Sequence, residues 1–214
     1  MIHIDKDTKL FGSFSNNPGN RGSQFFNEQF AVHKINAVYK AFYASDIASS
    51  LNAAKVLKFT GCAIAMPFKV AAYDLVDTLD ESAVSCGSVN TIVIADDNST
   101  IGYNTDFLAA FTVIEKYNVA GYSSVYVVGI GGLGKAVVAA LKTKNINIRE
   151  VTRANMDLLD SIENVFVFNC APIDISVPEK NYLFDCRVTS DDGEFFRVEQ
   201  AKKQFNIYTG ISID

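Results

Sequence analysis

The sequence predicts an α/β protein of two domains, and three observations lead to this prediction. Short apolar runs rich in β-branched and aromatic residues alternate with stretches of helical spacing along most of the chain. One such run, Val125–Val128, ends abruptly in glycines and is followed at once by a helix-forming stretch. The 214 residues are 49% hydrophobic, which is enough to bury one large core or two small ones. The alternation of strands and helices favours parallel sheets in both halves.

The first half is predicted to contain five strands and three helices. The strands lie at residues 10–14, 37–42, 61–65 and 88–94, followed by a hairpin turn at 96–99 and a short partner strand that ends at Gly102. The helices lie at residues 25–33, 47–58 and 69–85, and Asp46 is the predicted N-cap of the second. Residues 15–22 are too rich in turn formers to be helical.

The second half is predicted to begin near residue 105. Asn104, Thr105 and Asp106 are expected to cap a long helix that runs through Tyr117, and later strands are expected at residues 149–152, 165–169 and 182–185. A closing helix around residues 199–205 is expected to fold back onto the first domain. The predicted domains are residues 1–104 with 193–214, and residues 105–192.

The glycine-rich sequence after residues 125–128 predicts a phosphate cradle. Gly129 permits a tight turn, Gly131 leaves no Cβ between the backbone and a pyrophosphate, and the N–H groups of the next helix face the anion. We interpret Gly-x-Gly-Gly-x-Gly as a variant of Gly-x-Gly-x-x-Gly whose third glycine comes one place early, with Ala136 where close helix-to-strand packing requires a small side chain. Glycine clusters also make ordinary strand-to-helix turns, and the flanking strand and helix favour the cofactor interpretation.

The composition argues against several classes of protein. There are 24 acidic and 19 basic residues, so the net charge of −5 creates no overall field toward nucleic acid or an anionic membrane. Residues 1–8 are too polar for a signal peptide, and no apolar run approaches membrane-spanning length. The aromatic residues show no basic interleaving of the kind that nucleic-acid stacking uses. We expect a cytoplasmic protein.

The cysteines and histidines predict no disulfide framework and no metal site. The four cysteines are widely spaced in the sequence, form no Cys-x-x-Cys pair and lie in apolar contexts, which is typical of buried free thiols. They are Cys62, Cys86, Cys170 and Cys186. His3 and His33 have no acidic or cysteine companions at ligand spacing.

The residues after the predicted strand at 149–152 bear on the cofactor. In a dinucleotide fold, the position about 20 residues past the glycines meets the adenosine ribose, where a carboxylate binds a 2′-hydroxyl and an arginine accommodates a 2′-phosphate. This chain has Thr152 and Arg153 there and no carboxylate. The spacing therefore favours NADP over NAD, and the alternative is an ordinary solvated surface arginine.

Lys69 and Asp106 are candidates for acid-base chemistry. Lys69 follows the predicted strand at 61–65, and Asp106 lies at the start of a helix. If both line one cleft, the carboxylate can hold the ammonium, and the ammonium can pass a proton to a developing alkoxide. The alternatives are an exposed lysine and a plain helix N-cap.

Four motifs, taken in order and at their intervals, resemble the shikimate dehydrogenase family. They are Met-Pro-Phe-Lys at 66–69, Ser-Val-Asn-Thr at 88–91, Tyr-Asn-Thr-Asp at 103–106 and Gly-Ile-Gly-Gly at 129–132. The resemblance runs from about residue 10 to 153 and resumes at 169–172, at Asp185 and at 193–210. The loop at 17–23 is more similar to the divergent shikimate dehydrogenase-like branch than to the standard enzymes.

The resemblance implies a two-domain oxidoreductase of aromatic amino acid biosynthesis. It implies an N-terminal α/β substrate domain, a shortened Rossmann-type NADP-binding domain and a C-terminal helix packed on the first domain. The implied reaction moves a hydride between NADP(H) and the ring carbon of 3-dehydroshikimate or shikimate, or of a close analogue such as quinate. The partner is then a small ring acid, and we expect a monomer or homodimer.

Residue by residue, the resemblance carries over the following roles. Lys69 matches the catalytic lysine and Asp106 its partner aspartate, while Asn90 and Gln200 match residues that hold the substrate. Ser13 and Ser15 look like the family's substrate-carboxylate serines, yet counting back from Phe26 and Asn27 puts Asn20 and Gly22 there, with Ser23 adjacent. The implied cofactor-binding residues are Gly129, Gly131, Gly132, Thr152, Arg153 and Asn169.

The chain also departs from the family pattern. Ala65 replaces a threonine or serine hydroxyl beside the substrate, Phe26 replaces a histidine, and the stretch from Arg153 to Gln200 is shorter by tens of residues. A helix and a strand that normally complete the cofactor domain are expected to be missing. One alternative is therefore a degenerate member that binds a nucleotide or small acid without turnover. Another is a different Rossmann dehydrogenase, which requires the Lys69 and Asp106 matches to be chance.

Overall fold

The computed structural model describes residues 4–213, which fold into two compact units. One unit contains residues 4–105 together with 201–213, and the other contains Asp106–Gln200. These divisions lie about one and about eight residues after the predicted boundaries at 104/105 and 192/193. The predicted substrate and cofactor domains stay a prediction. His3 lies outside the described residues. Within them, no helix combines the length and the apolar character that crossing a membrane requires.

The first unit is built on a six-stranded sheet. Its elements are β1 (Lys9–Ser15), α1 (Arg21–Val32), β2 (Ala37–Tyr43), α2 (Ile47–Val56), β3 (Phe59–Ile64), β4 (Thr78–Leu79), α3 (Glu81–Cys86), β5 (Thr91–Ile94) and β6 (Thr100–Tyr103). The strand order is β2-β1-β3-β5-β6-β4. Strand β1 is parallel to β2 and β3, whereas β5 is antiparallel to both β3 and β6. The predicted parallel arrangement holds for β1, β2 and β3 but not for β5, which is antiparallel to β3 and, through the predicted hairpin with Asn98 at a φ of 68°, to β6.

The predicted helix over residues 69–85 is also wrong. This stretch contains a short 3-10 helix (Ala71–Leu75), strand β4 and helix α3. One carboxylate oxygen of Asp77 accepts hydrogen bonds from the backbone N–H and the hydroxyl of Thr100, which holds the chain extended beside β6. Asp80 then caps α3 by accepting from the Ser82 N–H. Tertiary hydrogen bonds thus override the helical spacing of the apolar residues.

The other helix starts follow local chemistry. Asp46 accepts from the Ser49 N–H, which confirms it as the N-cap of α2. Helix α1 begins at Arg21, four residues before the predicted start. Its first turns are tied to β2, since the Asn27 side chain bonds both the N–H and the carbonyl of Tyr39. Ser23, in the part of the helix that precedes the predicted start, accepts from the Ala41 N–H of β2, and this contact holds the added turn against the sheet.

The core of the first unit lies on both faces of the sheet. Phe14 belongs to one apolar cluster with Leu51 and Ile64, whereas Phe11, three positions earlier on β1, belongs to another with Phe30. This division follows from the two-residue period of a strand. The second cluster includes Phe205, which is fully buried, and thereby confirms that the C-terminal helix packs on the first domain.

The second unit is built on a four-stranded, fully parallel sheet. Its elements are α4 (Thr105–Lys116), β7 (Val125–Val128), α5 (Gly132–Thr143), β8 (Ile148–Val151), β9 (Phe166–Asn169), β10 (Tyr182–Asp185) and the start of α6 (Asp191–Thr209). The strand order is β10-β9-β7-β8. Only a 3-10 helix (Met156–Ser161) interrupts the connection from β8 to β9 among the described residues, and the connection from β9 to β10 is irregular. The crossovers are therefore short, as expected for a reduced domain.

We predict that Phe205→Ala lowers the free energy of unfolding by about 3–5 kcal/mol. The phenyl ring packs against Phe26 and Phe30, with ring centroids 6.4 and 5.9 Å away, so truncation leaves a cavity. Urea unfolding followed by circular dichroism measures the change. Val32→Ala is the matched control, because Val32 is 65% exposed on α1 and its truncation should alter stability by less than about 0.5 kcal/mol. Equal effects of the two changes would contradict the packing role of α6.

Candidate active site

Three glycines shape the turn between β7 and α5. Gly129 has a φ of 85°, and a Cβ there would lie 2.7 Å from the Cβ of Ala171. Gly131 is the N-cap of α5, and a Cβ there would meet no atom within 4 Å. At Gly134, a Cβ would lie 2.0 Å from the carbonyl oxygen of Gly129. The first and third glycines are therefore required by packing, while the second leaves open space at the start of a helix.

These contacts correct the interpretation of the glycine spacing. Gly129, Gly131 and Gly134 stand at the positions of the common Gly-x-Gly-x-x-Gly, and Gly132 is an additional glycine inside it. The third glycine does not come early. Ala136 is fully buried, yet the close approach of helix to strand is made at Gly134. The motif therefore has the regular geometry of a dinucleotide turn.

The predicted cofactor residues of the second unit meet at one edge of its sheet. Gly129, Thr152 and Asn169 stand at or directly after the carboxyl ends of β7, β8 and β9. The Gly129 N–H donates to the carbonyl of Val151, and Val128 is in register with Asn169. The chain runs from β7 to β8 on one side and returns to β9 on the other, so β7 and β9 flank a topological switch point. Open α/β sheets bind ligands at such a point, and the N-terminus of α5 offers N–H groups to an anion there.

Arg153 lies on a tight turn after β8. The side-chain oxygen of Asn155 accepts from both the N–H and the hydroxyl of Thr152, and the Asn155 amide donates to the carbonyl of Glu150. These bonds organise the backbone on both sides of Arg153, which is itself exposed. The turn therefore presents a guanidinium at the edge of the sheet, three positions after an exposed glutamate that belongs to the strand.

Asn169 is fully buried, and its side chain is committed within the protein. Its amide nitrogen donates to the carbonyl of Ile173 and to the carboxylate of Asp185, and its oxygen accepts from the Ala171 N–H. Asp185 also binds the Arg187 guanidinium through both carboxylate oxygens, which holds the pKa of this carboxyl below its ordinary value. Asn169 thus holds the loop that packs against Gly129, so any role in cofactor binding is one of positioning.

The predicted substrate residues of the first unit gather at one edge of the six-stranded sheet. Asn20 is the exposed N-cap of α1 after β1, and Ser23 lies in the first turn of that helix. Lys69 follows the carboxyl end of β3. Asn90 directly precedes β5, which is antiparallel to β3 and therefore begins at this same edge. The sheet topology brings these four residues together although they span 70 positions of sequence.

Two backbone hydrogen bonds join the segment from Ile64 to Lys69 to the neighbouring residues Val89 and Asn90. The Ile64 N–H donates to the carbonyl of Asn90, and the Val89 N–H donates to the carbonyl of Lys69, both at 2.8 Å. The hydroxyl of Ser15 also donates to the carbonyl of Met66. The loop between β3 and Lys69 is therefore fixed at both of its ends, and Lys69 is half-buried.

The Asn90 side chain is fixed more firmly still. Its carbonyl oxygen accepts from the N–H and the hydroxyl of Thr105, at 2.8 and 3.1 Å, and from the hydroxyl of Thr91 at 2.9 Å. These bonds determine which end of the amide is the acceptor and leave the nitrogen as a donor. No buried side-chain nitrogen or oxygen in residues 4–213 lacks a partner, and no protein group accepts from this nitrogen, so it reaches solvent.

Asp106 and Gln200 belong to the second unit. Asp106 follows Thr105 in the first turn of α4, where a carboxylate is favoured by the helix dipole, and it is only 7% exposed. Gln200 lies in α6 and is half-buried. The proposed pairing of Lys69 with Asp106 and the role of Gln200 stay predictions.

Gln204 is a buried polar residue that the sequence analysis missed. Its amide nitrogen donates to the hydroxyls of Thr91 and Tyr208, at 2.9 and 3.0 Å, and Thr91 in turn donates to Asn90. Gln204 therefore supports Asn90 from the C-terminal helix. The only sequence signal was its position one helical turn after Gln200.

The chain is similar in sequence to proteins of one family. Residues 21–92 match the model of the shikimate dehydrogenase substrate binding domain. A shikimate dehydrogenase-like protein of Haemophilus influenzae is 39% identical over 154 residues, which cover 72% of this chain and 56% of that relative. The shikimate dehydrogenase (NADP(+)) of Sulfolobus acidocaldarius is 30% identical over 204 residues, which cover 86% of this chain and 73% of that relative.

The chain belongs to the shikimate dehydrogenase family. The solved structure of a shikimate 5-dehydrogenase-like protein superposes with a TM-score of 0.86 at 28% identity, covering 99% of this chain and 95% of that one. This match confirms the predicted two-domain α/β fold with a Rossmann-like half. The chain spans about half the length, 47–56%, of several curated shikimate dehydrogenase relatives that it matches in sequence.

We predict that two glycine substitutions in this family member differ in how strongly they destabilise it. Gly134→Ala should destabilise the protein by about 1–3 kcal/mol or more, because its Cβ would overlap the Gly129 carbonyl. Gly131→Ala should cost less than about 1 kcal/mol, because its φ of −78° suits an L-residue and its surroundings are open. Thermal unfolding of both variants measures the difference. A Gly134→Ala protein as stable as the parent would contradict the close packing of α5 on the turn.

Proposed function

We propose that this protein is an NADP-dependent oxidoreductase that reversibly interconverts 3-dehydroshikimate and shikimate, or a close analogue such as quinate. The observation that carries the proposal is the position of Asn90 in a shikimate dehydrogenase family member. Its side-chain oxygen accepts three hydrogen bonds, two of them from Thr105, the residue before Asp106. Its backbone carbonyl accepts from Ile64, at the end of the strand that leads to Lys69. One buried asparagine of the first unit thus bonds both the end of the strand that leads to Lys69 and Thr105, the residue before Asp106.

In the proposed chemistry, Lys69 transfers the proton to or from the oxygen of the reacting ring carbon. When a ring ketone is reduced, charge develops on its oxygen, and the Lys69 ammonium donates a proton to that oxygen. The Asp106 carboxylate is the proposed partner that holds the ammonium in place. In the reverse direction, the amine of Lys69 accepts the proton of the ring hydroxyl. NADP(H) supplies or accepts the hydride when it is bound.

Substrate binding is assigned to the edge of the first unit. The Asn90 amide nitrogen is available to donate to a ring hydroxyl, and Gln200 is the second proposed hydroxyl partner. Ser23 accepts from the Ala41 N–H and keeps its hydroxyl proton for a carboxylate, with Asn20 beside it. The Ser15 hydroxyl instead donates to Met66 and accepts from Asn17, which supports the choice of Asn20 and Ser23.

Cofactor binding is assigned to the edge of the second unit. Gly131 and Gly132 open the N-terminus of α5 to a pyrophosphate, and Gly129 and Gly134 let the turn approach the helix. Thr152 and Arg153 are proposed to bind the 2′-phosphate, because the turn after β8 carries a guanidinium and no carboxylate. This arrangement favours NADP over NAD.

A second candidate function is binding of a nucleotide or small acid without turnover. The observation in its favour is Ala65, which stands in the loop between β3 and Lys69 and cannot supply the hydroxyl that the family usually has there. Its backbone is nevertheless held at both sides, because its N–H donates to the carbonyl of Phe14 and its carbonyl accepts from the Phe68 N–H. The loop therefore keeps its backbone anchors without the hydroxyl.

We predict that Lys69→Ala lowers kcat for shikimate oxidation by a factor of about 10²–10⁴ with little change in KM, because it removes the proton carrier. Absorbance of the reduced nicotinamide, with NADP and shikimate or quinate as substrates, measures the rate. Lys9→Ala is the matched control, since Lys9 is exposed at the opposite end of β1, and it should leave kcat unchanged. A folded parent protein that binds NADP yet turns over neither acid would favour the second candidate function.

We also predict that Arg153→Ala raises the KM for NADP by about 10- to 100-fold, the loss of one or two charge-assisted hydrogen bonds, and leaves the KM for NAD nearly unchanged. The ratio of kcat/KM for the two cofactors measures this selectivity. Arg149→Ala removes another exposed arginine of the same strand and serves as the control. An equal loss with both cofactors would contradict recognition of the 2′-phosphate by Arg153.

A further inference from the structure

Two of the four cysteines lie side by side although they are 16 positions apart in sequence. Cys170 directly follows β9, and Cys186 directly follows β10. The two strands are parallel with Asn169 opposite Asp185, and the Cys186 N–H donates to the carbonyl of Asn169 at 3.0 Å. The cysteines therefore occupy the next pair of positions along the two strands, and their sulfur atoms are 3.8 Å apart.

This arrangement meets the geometric requirements of a disulfide. Neighbouring strands lie about 4.8 Å apart, which is within the range of about 4.4–6.8 Å for the Cα separation of bonded cysteines. The sulfur atoms need to approach from 3.8 Å to about 2.05 Å. Side-chain rotation can supply much of that movement, since neither residue lies inside a helix.

We propose that Cys170 and Cys186 are a modification site, a thiol pair that a peroxide oxidises reversibly to a disulfide. The proposal concerns the thiols alone and does not depend on the proposed dehydrogenase activity. It gives a role to two cysteines that the sequence analysis placed among isolated buried thiols.

The two thiols differ in solvent exposure, so we assign them different roles in the reaction. Cys170 is only partly buried, whereas Cys186 is 8% exposed. The hydrogen bond with Cys170 and the burial of Cys186 raise the pKa of the Cys186 thiol well above its ordinary value. Cys170 is therefore the group that meets the oxidant, and Cys186 remains a thiol beside it.

The reaction balances with one peroxide per disulfide. The Cys170 thiolate attacks one oxygen of hydrogen peroxide, the O–O bond breaks, and the products are a Cys170 sulfenic acid and hydroxide. The Cys186 sulfur then attacks the Cys170 sulfur, forms the S–S bond and displaces the second oxygen, which leaves as water with the thiol proton. Two thiols and one peroxide thus give one disulfide and two waters, with two electrons passing from sulfur to oxygen.

The cysteine pair lies next to the glycine-rich turn between β7 and α5. The Cys170 N–H donates to the carbonyl of Val128, the last residue of β7. A Cβ at Gly134 would lie 3.6 Å from the Cβ of Cys170, and Gly129 packs against Ala171. The disulfide therefore forms directly beneath the glycine-rich turn.

The remaining cysteines are internal controls. Cys62 and Cys86 lie in the first unit, where Cys62 has no exposed surface and the Cys86 thiol donates to the carbonyl of Ser82. Burial also raises the pKa of the Cys62 thiol to about 12. Neither should react while the protein is folded.

Peptide mapping of the oxidised full chain tests the proposal. The folded protein is treated with a few equivalents of hydrogen peroxide, alkylated after denaturation, and digested with trypsin. Cleavage after Arg153, Lys180 and Arg187 places Cys170 in the peptide 154–180 and Cys186 in the peptide 181–187. The expected result is a linked pair of these peptides, loss of two of the four thiols and of two hydrogen atoms from the intact mass, and full reversal by dithiothreitol.

A variant that lacks one cysteine of the pair shows which thiol reacts first with the peroxide. In Cys186→Ser, which keeps a small polar side chain, peroxide should leave a sulfenic acid at Cys170 that dimedone captures, with no linked peptide. Four titratable thiols in the peroxide-treated parent protein would overturn the proposal. So would oxygen added to the cysteines without a cross-link, or a linkage that includes Cys62 or Cys86. The measurement on the parent protein stands by itself if the variant does not fold.

Discussion

The candidate site depends on the carbonyl oxygen of one buried side chain, that of Asn90. This oxygen accepts three hydrogen bonds, two of them from Thr105 at the start of α4 and one from Thr91. The backbone of the same residue accepts from Ile64, next to the loop that leads to Lys69. Each bond lies where solvent is scarce, so losing the acceptor would strand several buried donors and cost much more than one exposed hydrogen bond. A rigid anchor of this kind is what a functional loop needs.

In the second unit, the turn between β7 and α5 is held in a different way, by close packing at glycines that have no side chain. The close approach of α5 to the turn is possible only because Gly134 has no Cβ to meet the Gly129 carbonyl. Hydrogen bonds between polar side chains hold the loop after β9, which packs against this turn. Asn169 bonds Asp185 and the loop backbone, and Asp185 bonds Arg187. The N-terminus of α5 stays open between the glycine turn and these hydrogen-bonded side chains, because a Cβ at Gly131 would meet no atom within 4 Å. The thiol pair of Cys170 and Cys186 lies between these two features.

Much of the fold could be predicted because the relevant signals are local. The apolar runs of the strands, the Asp46 cap and the hairpin turn at residues 96–99 are properties of a few consecutive residues. The predicted helix at 69–85 failed because Asp77 bonds Thr100, 23 positions away, and holds the chain extended. Helix α1 begins early for the same kind of reason, since Ser23 in its first turn accepts from the Ala41 N–H of β2. The glycine spacing was misinterpreted because the additional Gly132 was counted as part of the motif, whereas Gly129, Gly131 and Gly134 have the common spacing and the packing distance at Gly134 agrees with it.

By itself, the sequence determined most of the order of strands and helices, with residues 69–85 the exception, as well as the family resemblance and the residue types that the candidate site contains. Those features follow from hydrophobic period, turn chemistry and motif order, all of which can be counted along the chain. Only the tertiary structure decided which atom of Asn90 accepts hydrogen bonds, that Gln204 supports it, and that Cys170 faces Cys186. Each of these is a contact between residues far apart in sequence, and such contacts are set by strand order and register. A change of one residue in register turns the side chains of a strand to the other face of the sheet, so it would separate Cys170 from Cys186.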